Sequence, residues 1–148
     1  MGSMNLRSRA LRSLAILMVA LALTVGFAAA PVSAASYARS TLHVNECPAN
    51  YTGDIFNCHE NRLSDTLFYI AGAPKWTDGN GVATGVPSAG WHTVRVNGTT
   101  ASSYVGSYVV CTDQYNGDVL YNGLADGTTV WIETTAGHLT ICDWYLLF

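Results

Sequence analysis

The sequence is poor in charge, and above all in lysine. Charged residues make up 11% of the 148 residues, and Lys75 is the single lysine. From Ala35 onward, four basic residues stand against ten acidic ones, which gives a net charge of −6. A nucleic-acid partner needs clustered Lys and Arg to displace phosphate counterions, so the composition argues against one. The absence of a basic amphipathic stretch argues equally against an anionic membrane as a partner of the mature form.

The first 34 residues have the pattern of an export signal. Three arginines between positions 7 and 12 precede an apolar run over 14–30, and small residues follow up to Ala34. This pattern predicts a secretory signal peptide over 1–34, cut near Ala34, and a single domain over 35–148. The alternative is an uncleaved membrane anchor, because the apolar run approaches the ~20 residues that a spanning helix needs. Gly26 and Pro31 favour cleavage, and we expect a secreted, extracellular protein.

Short metal and redox motifs are missing. Cys47, Cys58, Cys111 and Cys142 form neither the closely spaced pairs of a zinc site nor a Cys-x-x-Cys motif. An even number of cysteines in an exported chain predicts two disulfides instead. Three connectivities are open, and the sequence does not choose among them. We expect the nearest-neighbour pairing, Cys47 with Cys58 and Cys111 with Cys142, and no metal or cofactor.

Long helical runs are also absent beyond Ala35, and the apolar pattern there has a period of two. The stretches that alternate between apolar and polar residues are separated by Asn-Gly, Asp-Gly and Gly-Asp dipeptides, which are typical of tight turns. The pattern predicts an all-β domain, a single antiparallel β-sandwich of about seven strands, with a small barrel as the alternative. Missing crossover helices exclude a parallel α/β fold. The predicted strands are 41–45, 65–71, 90–96, 104–111, 118–121, 128–134 and 139–147.

Several motifs follow one another in a characteristic order. They are CPANYTGDIFNC at 47–58, LFYI at 67–70, TDGNGVA at 77–83, VPSAGWHTV at 86–94 and CDWY at 142–145. In this order they resemble the prealbumin-like, Cna B-type domains of bacterial surface proteins, in their secreted, disulfide-bearing variant. The resemblance covers roughly 42–145. It implies a non-enzymatic β-sandwich with an adhesive, binding or structural role at the bacterial cell exterior.

The sequence departs from that family in its covalent chemistry. Many Cna B-type domains carry an isopeptide bond from a first-strand Lys to a last-strand Asn or Asp. Here the first strand has no Lys, and Lys75 is expected in a loop. We therefore predict no isopeptide bond, with the two disulfides as the covalent locks. No Leu-Pro-x-Thr-Gly sorting signal is present, so we expect a released or non-covalently attached protein.

Catalysis has little support in the sequence. No Gly-x-Ser-x-Gly nucleophile elbow is present, and His43 and His92 are expected to be partly buried packing residues with satisfied nitrogens. Glu133 and Asp143 could form a carboxylate pair if their strands were neighbours, but solubility explains both acids. Asp78 begins a fragment of a calcium loop that a turn explains fully. We expect no enzyme, and a small hydrolase or inhibitor is the alternative.

The aromatic content is high for so short a domain, with four Trp and eight Tyr. Exposed aromatic rings on a secreted sandwich can stack on sugars or contact a partner protein. Trp144 is expected to pack against a disulfide because it shares a strand face with Cys142. Trp76, expected in a loop, and Trp91 are the candidate ligand contacts. The expected partner is a cell-surface glycan or an extracellular protein. The alternative is self-association as a surface or matrix subunit, through an edge strand or an apolar patch.

Overall fold

The computed structural model describes residues 36–51, 54–58 and 61–148. In these ranges the chain forms ten strands, a 3-10 turn (Ile55–Asn57) and a short helix, α1 (Gly98–Ala101). The predicted signal peptide lies outside the described residues. No helix among the described residues is long and apolar enough to cross a membrane. The strands are β1 (Arg39–Cys47), β2 (Asn61–Arg62), β3 (Leu67–Ile70), β4 (Ala73–Trp76), β5 (Val82–Gly85), β6 (Gly90–Val96), β7 (Gly106–Asp113), β8 (Val119–Leu124), β9 (Thr129–Thr134) and β10 (Leu139–Leu147).

The strands form two sheets that pack as a β-sandwich, as the sequence predicts. The large sheet has the order β2-β1-β10-β7-β8, with β5 also paired to β1, and the small sheet has the order β4-β3-β6-β9. Among the described strands, every ladder is antiparallel except the one between β1 and β10. That ladder is parallel over nine residue pairs, from Arg39 and Leu139 to Cys47 and Leu147. The first and last long strands therefore lie side by side.

Three short strands were not predicted. β2 has two residues, and β4 and β5 have four each. The expectation that Lys75 and Trp76 lie in a loop was wrong, because both belong to β4. Pro74 argues against a strand at β4 in the sequence, because proline has no N–H to donate to a sheet. β4 is the edge strand of the small sheet, where that missing N–H is tolerated.

Strand alternation builds the core between the sheets. In β9, for example, Val130 and Ile132 are buried while the residues on either side of them point outward. Phe68 and Trp144 meet edge to face across this core, with 5.2 Å between ring centroids. The core consists of Leu42, Val44, Phe68, Ile70, Ala83, Val94, Val96, Val109, Cys111, Val130, Ile132, Cys142, Trp144 and Leu146.

The two disulfides join different parts of the fold. Cys111 and Cys142 are directly opposite each other in β7 and β10, and their bond lies in the core beside Trp144. Cys47 and Cys58 join the end of β1 to the loop that follows it. They form a second, smaller buried cluster with Tyr145, on the outward face of the large sheet. The structure therefore has the nearest-neighbour pairing that we expected.

Candidate functional site

Three of the four tryptophans point outward from the small sheet. In β6 and β9 the buried residues alternate with Trp91 and Trp131, whose exposed fractions are 66% and 61%. Trp76, at the end of β4, is 63% exposed and lies opposite Leu67 of β3. Since cross-strand partners share a face and Phe68 points inward, Trp76 belongs to the same outward surface.

Strand register places Tyr69 and Arg95 in the middle of this surface. They are cross-strand partners in β3 and β6, and the Arg95 guanidinium lies over the Tyr69 ring, 4.5 Å from its centroid. A guanidinium in that position is attracted to the ring and holds it in place. We call the four outward rings, Tyr69, Trp76, Trp91 and Trp131, the aromatic face.

The aromatic face has the shape of a diagonal row. Trp131 lies four residues further along the strand direction than Trp76 and three strands away, with Tyr69 between them. At about 3.4 Å per residue and 4.8 Å per strand, the row is roughly 20 Å long. Trp91 lies beside its far end, because Trp91 and Trp131 are diagonal neighbours in paired strands.

Hydrogen-bonding side chains are interleaved with the rings. Thr93 is the cross-strand partner of Trp131, Glu133 is the partner of Trp91, and Arg95 is the partner of Thr129. The surface therefore combines flat apolar rings with polar groups at their edges, which suits ligands that are themselves apolar on one face and polar on their rims.

The sequence identified part of this surface. Trp76 and Trp91, the two candidate ligand contacts, both lie on it, although Trp76 is on a strand rather than in a loop. Trp131 was missed, yet the alternation in TVWIET is as regular as that in GWHTVRV and would have indicated an outward ring. Tyr69 and Arg95 gave no local signal, because only the pairing of β3 with β6 brings them together.

Two histidines pair with carboxylates elsewhere. His138 Nδ1 lies 2.6 Å from Asp113 Oδ2, and the His138 ring stacks on Tyr115 with centroids 4.5 Å apart. Burial would raise the pKa of Asp113, but hydrogen bonds from His138 and from the backbone N–H of Tyr115 outweigh it and lower that pKa. On the outward face of the large sheet, His43 Nδ1 lies 3.1 Å from Asp143 Oδ1.

His92 differs from the expectation. Its Nδ1 has only long contacts, 3.3 Å to the Gly90 carbonyl and 3.5 Å to Thr134 Oγ1. Its Nε2 is buried and has no partner among the described residues, so the prediction of satisfied nitrogens was wrong for His92. Burial lowers the pKa of His92, because a charged imidazole is disfavoured there, while the bond to the Gly90 carbonyl raises it by less.

The carboxylates do not form a hydrolytic pair. Glu133 points outward from the small sheet, and Asp143 points outward from the large one, so the core separates them. Asp78 Oδ1 accepts the backbone N–H of Asn80 and of Val82, which makes it a turn residue. Among the described residues, no group of three or more His, Cys, Asp or Glu side chains could hold a metal ion.

One cavity is bordered by His138, the histidine that pairs with Asp113. A space of about 310 Å³ lies beside His138, between the start of β1 and the turn before β10. No serine, threonine or cysteine is among the described residues that line it. The lining residues are Tyr37, Ala38, Arg39, Val86, Gly137, His138 and Leu139.

Comparison with known proteins gives only remote likenesses. No family model and no curated protein matches the chain. Two crystal structures of the major pilin from Streptococcus pyogenes, one of a point mutant, are similar over 76% of this chain. The identities are 14% and 13%, and the TM-scores are 0.41 and 0.39. The chain spans about half the length of these pilin chains, 49% of each.

Proposed function

We propose that this protein is a secreted, non-enzymatic binding module at the bacterial cell exterior, and that it binds glycans through the aromatic face. The observation that carries the proposal is the row of Trp76, Tyr69 and Trp131 with Trp91 beside it. Isolated exposed tryptophans are common on protein surfaces, whereas three on one sheet face form a platform.

A sugar chain fits this platform better than a protein does. Pyranose rings have an apolar face that stacks on indole, and their hydroxyls can reach polar neighbours such as Thr93, Arg95 and Glu133. A row of roughly 20 Å accommodates several successive rings. Two disulfides support an oxidising, extracellular setting, and the ordered motifs that resemble Cna B-type domains support a place on a bacterial exterior.

Binding to immobilised cell-surface polysaccharides tests the proposal. We expect the protein to be retained on at least one polysaccharide, and Trp131→Ala or Trp91→Ala to weaken binding about tenfold or more, because an anchoring ring is lost. Phe148→Ala is the matched control, since Phe148 is an exposed ring just beyond β10, away from the aromatic face. Equal losses in all three variants, or none in the two tryptophan variants, would show that the aromatic face is not the binding surface.

Self-assembly is a second candidate, because another surface favours it. Among the described strands, β8 pairs only with β7, so one edge of β8 has no strand partner. Beside this edge, Val105 and Leu124 are exposed at an apolar cavity of about 430 Å³, which Leu147 also lines. An open edge with exposed apolar side chains is a site where a second copy can add. Light scattering that shows a concentration-dependent oligomer, abolished by Leu124→Lys, would support this function.

A further inference from the structure

The cavity beside His138 differs from the aromatic face, because residues with N–H donors, rather than exposed aromatic rings, are its main feature. Its lining includes two residues whose side chains carry N–H groups, Arg39 and His138. The backbone N–H of Arg39 donates to the His138 carbonyl at 3.0 Å, so the two residues are held next to each other. They begin β1 and precede β10, and the parallel ladder between these strands keeps them together.

His138 is fixed in orientation and in tautomer. Asp113 is buried and ionised, so the Nδ1 that lies 2.6 Å from its Oδ2 carries the proton and donates it. Stacking on Tyr115, at 27° between the ring planes, holds the imidazole plane as well. Nε2 has no hydrogen-bond partner among the described residues. When the ring is protonated, Nε2–H is therefore an unused donor.

Arg39 is similarly available. Its side chain is exposed, and no carboxylate lies within ion-pair distance of it in the part of the chain that the structure describes. Asp113 neutralises a protonated His138, so Arg39 leaves the site with a local positive charge. This charge is notable in a domain that carries −6 from Ala35 onward.

We propose that this cavity binds an organic carboxylate, with the Arg39 guanidinium and His138 Nε2–H as its donors. The planar fork of Arg matches a carboxylate with two parallel hydrogen bonds, and His⁺ adds a third donor. The cavity, at about 310 Å³, has room for a small body behind the carboxylate. Tyr37, 59% exposed, supplies an apolar surface at the rim for the carbon skeleton.

Titrating the protein with D-glucuronate, followed by two-dimensional NMR, tests the proposal. We expect saturable shifts of the His138 ring and Arg39 side-chain signals, and no such shifts with D-glucose, which lacks the carboxylate. Arg39→Gln should weaken glucuronate binding about tenfold to hundredfold, because a charge-assisted hydrogen bond is lost. Arg62→Gln, at an exposed arginine in β2 outside this cavity, is the matched control and should bind as the wild type does.

Two arms distinguish a carboxylate site from other outcomes. In the first, the protein is titrated with inorganic phosphate. If phosphate shifts the His138 signals as strongly as glucuronate does, the assignment to a carboxylate is overturned. The second is His138→Gln, which should weaken glucuronate binding because the ring donor to the carboxylate is lost, and an unchanged affinity would overturn the role of His138. Equal shifts of the His138 ring signals with glucose and with glucuronate, in the wild-type protein, would refute the proposal without any variant.

Discussion

Removing the disulfide between Cys47 and Cys58 should destabilise the protein by an amount that the loop length fixes. The bond closes a loop of 11 residues over Tyr145, on the outward face of the large sheet. Within this loop, Tyr51 and Ile55 pack against the cluster that contains Tyr145. The covalent link acts mainly by restricting the unfolded chain, because the folded loop retains its few contacts in either case.

The magnitude follows from the chain-entropy relation. A separation of 11 residues gives about 2.8 kcal/mol, and the separation of 31 residues from Cys111 to Cys142 gives about 3.7 kcal/mol. For a domain of this size, a loss of 2.8 kcal/mol lowers the melting temperature by about 10 °C. Removing the bond between Cys111 and Cys142 should destabilise more, because its loop is longer and its sulfurs belong to the main core, whereas the equally buried Cys47 and Cys58 belong to the smaller cluster.

Urea unfolding of the double variant Cys47→Ala, Cys58→Ala against the wild type measures this difference. We expect a lower midpoint and a somewhat larger m value, because the unlinked unfolded chain exposes more surface. A double variant within about 0.5 kcal/mol of the wild type would refute the entropic reasoning. So would a larger loss from this pair than from the core pair, since the shorter loop and the smaller buried cluster both point the other way.

Three further predictions test the turn, the core histidine and the covalent state. Gly81→Ala should destabilise by about 1 to 3 kcal/mol in urea unfolding, because φ is +69° and a Cβ would lie 2.8 Å from the Val44 carbonyl oxygen, while Gly79→Ala, with open space around it, should have little effect. Burial lowers the folded-state pKa of His92 below 6.5, so the unfolded chain binds that proton more tightly. Stability should then fall from about pH 7.5 to about pH 5.5 more steeply in the wild type than in His92→Gln, and parallel pH profiles would contradict the assignment. The intact mass should rise by four hydrogens on reduction, and a mass lower by one ammonia would reveal the isopeptide bond that we predict to be absent.

The sequence predicted the layers of the fold better than their connections. Period-two alternation is a local property, so β6, β9 and β10 were found with nearly correct bounds. β4 was not predicted because it contains Pro74. Proline is tolerated in an edge strand but not in a central one, and the local sequence does not show which of the two a strand will be. The parallel pairing of β1 with β10 joins segments a hundred residues apart, and nothing in either segment specifies its neighbour.

The candidate sites also combine features that the local sequence predicts with features that depend on long-range pairing. The outward direction of Trp91 and Trp131 follows from the strand pattern alone, because inward and outward residues alternate along β6 and β9. The contact between Tyr69 and Arg95 depends on register between two strands. The pairing of His138 with Asp113 depends on a turn that meets the end of another strand 25 residues away, so tertiary structure had to be known first.

The parallel ladder between β1 and β10 has a mechanical consequence. A tension applied to the chain before β1 and after β10 pulls these two neighbouring strands past each other, along their own axes. All the hydrogen bonds of nine residue pairs then bear the load together, instead of opening one at a time. We expect single-molecule pulling along this direction to need a much larger force than pulling from β7 and β8, an antiparallel hairpin that unzips from one end.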